Sequence, residues 1–173
     1  ISIEHYEQGG NVISLFLAPA TACLAYSIYD QLELLKKNVV PILAGCLAGA
    51  VTSMGSIYLL CKFFKVDHTL MLSLLPKSVT TPIALGISEQ LGGIQAVTMV
   101  GVLIAGIGGA IFCPMVAKLL RIKNPVAVGV GLGSASHAIG TSKAVELGEI
   151  QGAMSGISIG VSGILTVVLA IFL

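Results

Sequence analysis

Two polar clusters interrupt an otherwise apolar chain. Between Gly129 and Glu149 the sequence GVGLGSASHAIGTSKAVELGE carries Ser134, Ser136, His137, Thr141, Ser142, Lys143 and Glu146. Between Pro76 and Pro82 lie Lys77, Ser78, Thr80 and Thr81. An ammonium neutralises a carboxylate, hydroxyls donate hydrogen bonds to it, and an imidazole of unperturbed pKa near 6.5 can carry a proton. These types together offer recognition of a small anion, with His137 lining a substrate or coupling-proton path. Thr21, just after Pro19, joins the set. The bland alternatives are a structural His137, a Lys77 that snorkels to the interface, and Lys143 with Glu146 as a neutral i,i+3 pair. An ionisable group at membrane depth is nevertheless a functional hypothesis by default.

Other chemistry fits poorly. Ser136 and His137 are adjacent, so on a helix their side chains diverge and cannot form a nucleophile–base pair. No phosphate loop, acidic pair or metal-ligand spacing is visible, so no enzyme activity, metal or cofactor is expected. Cys23, Cys46, Cys61 and Cys113 sit at wide spacing in apolar stretches and read as small buried hydrophobes. A net charge of +1 excludes the basic field that nucleic acid requires.

The elements that must position these residues are membrane helices. The chain has 173 residues, of which 55% are hydrophobic and 10% charged, and its mean hydropathy is +1.00. A soluble domain carries roughly 25% charged residues, so the composition predicts an all-α polytopic integral membrane protein. Val39–Cys61, Ile94–Leu119 and Ile150–Leu173 read as uninterrupted spans, and Gly45 and Gly49 give the first a small face for close helix contact. Val12–Tyr29 is broken at Pro19, and Val126–Leu147 at Gly133 and Gly140. Such breaks survive in hydrocarbon only against protein or a water-filled cavity. Leu70–Leu91, interrupted by Pro76 and Pro82, reads as two short helices meeting at a polar tip. At about 1.5 Å per residue it cannot cross a core of ~30 Å twice, so a re-entrant hairpin is expected.

A weak internal repeat supports two discontinuous helices. Sliding Leu17 onto Leu132 also superposes Ala20 on Ala135, Thr21 on Ser136, Ser27 on Ser142 and Leu32 on Leu147. Paired broken helices are the pattern of inverted-repeat transporters. The repeat predicts halves of about 1–67 and 68–173 in one membrane domain, with roughly 45–50 residues of further membrane helix preceding Ile1. Inversion requires an odd number of crossings between equivalent loops, which Val39–Cys61, Ile94–Leu119 and the second broken helix would supply. Lys36, Lys37, Lys118, Arg121 and Lys123 then share a face opposite Lys62 and Lys65, and the positive-inside bias makes the first face cytoplasmic.

The motifs QGG (Gln8–Gly10), APAT (Ala18–Thr21), QLELLKKN (Gln31–Asn38), LPKSVTTPIA (Leu75–Ala84), ASHAIGTSKAVELGE (Ala135–Glu149) and GAMSG (Gly152–Gly156) resemble the LrgB/CidB family of bacterial membrane proteins, over almost the whole chain. The resemblance implies a multi-pass protein of the bacterial plasma membrane acting with a small LrgA/CidA-like membrane partner. It implies two activities. One is antiholin-like modulation of murein hydrolase activity and autolysis. The other is transport of small monocarboxylates, glycolate and glycerate by resemblance to the plastid glycolate/glycerate transporter and pyruvate by resemblance to bacterial pairs; cation coupling is expected. A homo-oligomer in the bilayer is also expected.

Overall fold

The computed structural model describes residues 32–172 continuously, together with Leu15, Phe16, Pro19, Ala22, Cys23, Tyr26 and Tyr29. Thr21 and most of the Leu17–Leu32 copy of the repeat lie outside the described residues; Pro19 is helical and exposed. Among the described residues every regular element is helical: α1 (Leu32–Lys37), α2 (Val39–Phe63), α3 (His68–Leu74), α4 (Thr81–Gln90), α5 (Gln95–Leu119), α6 (Pro125–Leu147) and α7 (Glu149–Ala170). Three helices, α2, α5 and α7, are long and apolar enough to cross a membrane. Their exposed faces carry Leu43, Leu59, Ile104, Ile107, Phe112, Ile164 and Val168, a surface that water would not tolerate and lipid does. The protein is a multi-pass membrane protein.

The Pro-rich stretch forms the expected short-helix pair. Asp67 caps α3 by accepting from the Thr69 amide at 2.9 Å. Residues 75–80 then form the tip, and Pro82 lies in the first turn of α4, where its missing N–H costs nothing. Pro82 therefore starts a helix; the interruption belongs to Pro76 and the turn around it. The α4 arm ends at Gly92, whose φ of +77° lets the chain turn into α5. The base is sewn shut: the Ser73 hydroxyl accepts from the Ile94 amide at 2.7 Å, and Thr98 donates to the buried Ser88 at 2.7 Å. With α3 and α4 reaching only about 10 and 15 Å, the pair enters and leaves on one face.

The second broken segment differs from expectation. Its one non-helical residue is His137, with φ 42° and ψ −135°, rather than Gly133 or Gly140. There the chain reverses. A Cβ built on Gly140 would stand 2.9 Å from the Leu132 carbonyl, eight residues back along what would be a straight helix. Arm α6a (125–136) runs parallel to α7, placing Gly129 against Gln151 and Met154 and Gly133 against Ser155. Arm α6b (138–147) runs antiparallel to α7, placing Thr141 on Ser155 and Val145 on Gly152. Residues 125–147 thus form a second re-entrant hairpin instead of a crossing helix, and the number of crossings between the loops before α2 and before α7 becomes even.

Contacts fix the direction of each element. Asn38 and Asn124 line one cavity, so α2 and α6 begin on the same face. α7 runs parallel to α2: Cys46 reaches the Ser158 carbonyl, and Met54 clusters with Ala170. The Pro-rich hairpin consequently enters from the face where α2 ends, and the His137 hairpin from the face where it begins.

Gly133 and Gly140 are contact surfaces rather than hinges. A Cβ on Gly133 would overlap the Ser155 backbone, which cannot rotate away. Overpacking costs about 1–3 kcal/mol. Gly133→Val is expected to lower the unfolding midpoint in detergent, whereas Gly156→Ala, which meets nothing within 4 Å, should leave it unchanged or raise it.

Candidate functional site

The two hairpin tips meet on α5. Val79 of the first tip packs with Val102, and His137 of the second bonds the Val102 carbonyl at 3.0 Å. A carbonyl only accepts, so Nε2 donates and Nδ1 keeps its lone pair. The ring lies against Gly106, where any side chain would collide with it. Thr141 ties down the reversal: its hydroxyl donates to the His137 carbonyl at 2.9 Å and pairs with Ser155 at 2.7 Å.

Beside this junction a cavity of about 680 Å³ lies between α2 and α5, within the size range of ligand sites. Thr52, Ser53 and Ser56 of α2, Lys77 and Ser78 of the first hairpin, and Ala135 of the second contribute to its wall. Lys77 Nζ donates to Ser53 Oγ at 3.0 Å, and Ser53 pairs with Ser78 at 2.5 Å. The sole ion pair among the described residues is Lys143–Glu146, 2.6 Å and exposed, so Lys77 has no carboxylate partner there. One cation among several hydroxyls, held at the level of a helix middle, can bind one small anion.

The sequence-derived residues divide into groups. Lys77 and Ser78 line the cavity. Ser136 is fully buried against Gly109, itself a lining residue, and its hydroxyl has no partner among the described residues. Ser134 lines a different cavity, between α2 and α6a. His137 and Thr141 hold the second tip together. Thr80, buried, is the N-cap residue of α4 without a side-chain cap bond, and Thr81 begins that helix. Ser53, which carries the Lys77 contact, is not among the sequence-derived residues. The available signal was its spacing, four residues beyond Gly49 on the small face of α2.

Ser53→Ala removes a neutral partner of the ammonium and leaves Ser78 free to replace it. Its expected effect is about 1 kcal/mol on the affinity of the cavity for a small anion, a several-fold rise in Kd with an unchanged unfolding midpoint.

The LrgB-like family matches residues 1–173. Among curated relatives, the uncharacterized protein YxaC of Bacillus subtilis is 46% identical over 165 residues, covering 95% of this chain and 72% of that protein. Antiholin-like protein LrgB of Bacillus mycoides is 39% identical over 167 residues, covering 96% and 73%. Its counterpart in Bacillus cereus is 38% identical over the same length. No solved structure matches the chain. A match over the full length, with relatives of this identity, means that the chain belongs to the LrgB-like family.

Proposed function

We propose that this chain is a transport component for small monocarboxylates of the pyruvate, glycolate and glycerate class, working with a small LrgA/CidA-like membrane partner and coupled to a cation. The observation that carries the reading is the Lys77 ammonium, half-buried beside Ser53 in a largely apolar cavity, with no carboxylate partner among the described residues. A charge removed from water is costly unless something pairs with it, and a substrate carboxylate does so. His137, at the tip of the opposite hairpin with a free Nδ1 lone pair, is the proton carrier of this scheme. The two hairpins enter from opposite faces and bring their tips together on α5, an arrangement that suits alternating access. The basic face bearing Lys36, Lys37, Lys118, Arg121 and Lys123 is cytoplasmic on the positive-inside bias, and the protein assembles as a homo-oligomer in the plasma membrane.

The names of the relatives favour a second reading more directly than transport. Several relatives are called antiholin-like, which supports modulation of a holin-like partner and, through it, of murein hydrolase activity and autolysis. Cells carrying Lys77→Gln in place of the parent separate the two. The transport reading expects carboxylate uptake and any autolysis phenotype to be lost together. The antiholin reading expects autolysis control to survive the substitution.

A further inference from the structure

A second cavity, of about 310 Å³, lies between the first turns of α2 and arm α6a. Asn38 and Asn124, at the N-caps of α2 and α6, stand at its mouth; Gly45, Gly131 and Ser134 lie deeper. It shares the α2–α6a seam with the Lys77 cavity, because Gly49 lines the first space and Ser134 the second. A Cβ built on Gly49 would stand 3.2 Å from Ser134 Oγ and 3.4 Å from its Cβ. The Gly49–Ser134 contact therefore lies between the two spaces. The Ser134 hydroxyl is weakly held, its bond to the Gly131 carbonyl being 3.4 Å long, so it is free to turn toward a passing ligand.

Among the described residues the surroundings of the mouth carry a positive excess. Lys36, Lys37, Lys118, Arg121 and Lys123 are exposed on that face. Among the described residues Glu33 and Glu149 are the acids without an ion pair there, and Glu146 is already neutralised by Lys143. On the opposite face Lys62 and Lys65 are balanced by Asp67 and Glu89. A cleft flanked by one sign of charge concentrates counter-ions.

We propose that the Asn38–Asn124 cavity is an anion-selective entrance to the Lys77 cavity, with the Gly49–Ser134 contact as its constriction. This rests on reading Lys77 as an anion site and adds a route, a face and a gating pair. The passage admits small singly charged anions, and a larger side chain at position 49 closes it.

The test is charge-selective labelling in sealed vesicles. In a full-length protein with Cys23, Cys46, Cys61 and Cys113 replaced by Ala, Ser134→Cys is exposed from each face to two impermeant methanethiosulfonates, one sulfonate and one trimethylammonium. The sulfonate is expected to react about 10-fold or more faster from the Asn38–Asn124 face, with the preference shrinking in 1 M salt, where the Debye length is about 3 Å. Ala127→Cys, exposed at the mouth, reads the same preference should Ser134→Cys fold poorly. Equal rates, a cationic preference, or reaction from the opposite face alone would overturn the entrance. Labelling needs no transport, so an inert parent in uptake assays that still shows the anionic preference refutes the transport reading and keeps the entrance. Gly49→Val is expected to abolish uptake by the parent while Ala127→Cys labelling persists; undiminished uptake would contradict the constriction.

Discussion

On the proposed transport function, Lys77→Gln is expected to lower carboxylate uptake about 10-fold or more without unfolding the protein. The partner of the ammonium is a neutral hydroxyl, Ser53, and Ser53 has a second partner in Ser78 at 2.5 Å. Removing the charge therefore strands no buried acid and leaves the serine pair intact. The fold of the first hairpin rests on other contacts: Leu75 with Met54 and Ile87, Val79 with Val102, and the Ser73 and Ser88 bonds at its base. The ligand loses a charge-assisted hydrogen bond worth about 1.5–3 kcal/mol, which is roughly 10- to 150-fold in affinity. Lys77→Arg keeps the charge but places a larger planar group beside Gly101, and should recover only part of the activity. Uptake by Lys77→Gln within about twofold of the parent, at substrate below KM, would remove Lys77 from the site.

His137→Gly gives the second large effect, and an unusual ordering of stabilities. Glycine normally costs about 1 kcal/mol relative to alanine inside a helix. At His137, however, φ is 42° with ψ −135°, a conformation that glycine adopts freely and other residues hold at about 1–3 kcal/mol. His137→Gly loses the Val102 bond but relieves the backbone, whereas His137→Ala loses the bond and keeps the strain. His137→Gly is thus expected to unfold in detergent at a higher temperature than His137→Ala. On the proposed role of His137 as proton carrier, both are expected to lose uptake, because neither has a side chain that binds a proton. If alanine proves the more stable, the reversal at this residue is wrong; if His137→Gly transports normally, the imidazole is structural.

That conformation also explains what the sequence could reveal. The Pro-rich hairpin was legible because Pro76 and Pro82 interrupt a stretch too short to cross twice, and Lys77 and Ser78 at its tip do line a cavity. The second hairpin was legible as a break but not as a reversal. Gly133 and Gly140 are the residues that a propensity argument selects, yet they are needed where arm meets helix and arm meets arm. The turn itself falls on a histidine, a residue with no preference for such backbone, held there by the Thr141 and Val102 bonds. Sequence spacing cannot show a reversal imposed by tertiary contact. Ser53 stayed hidden for a related reason. A serine inside an apolar helix is common, and only the arrival of Lys77 from another segment gives it a role.

The central claim is that a carboxylate binds at Lys77 and crosses the membrane. Its most direct test is uptake of labelled pyruvate and glycolate into proteoliposomes holding the full-length protein, with and without its LrgA/CidA-like partner, beside Lys77→Gln of equal unfolding midpoint. Saturable uptake by the parent that falls at least about 10-fold in Lys77→Gln is the predicted result. No uptake of either carboxylate by the parent with its partner, or equal uptake by parent and variant, would contradict it.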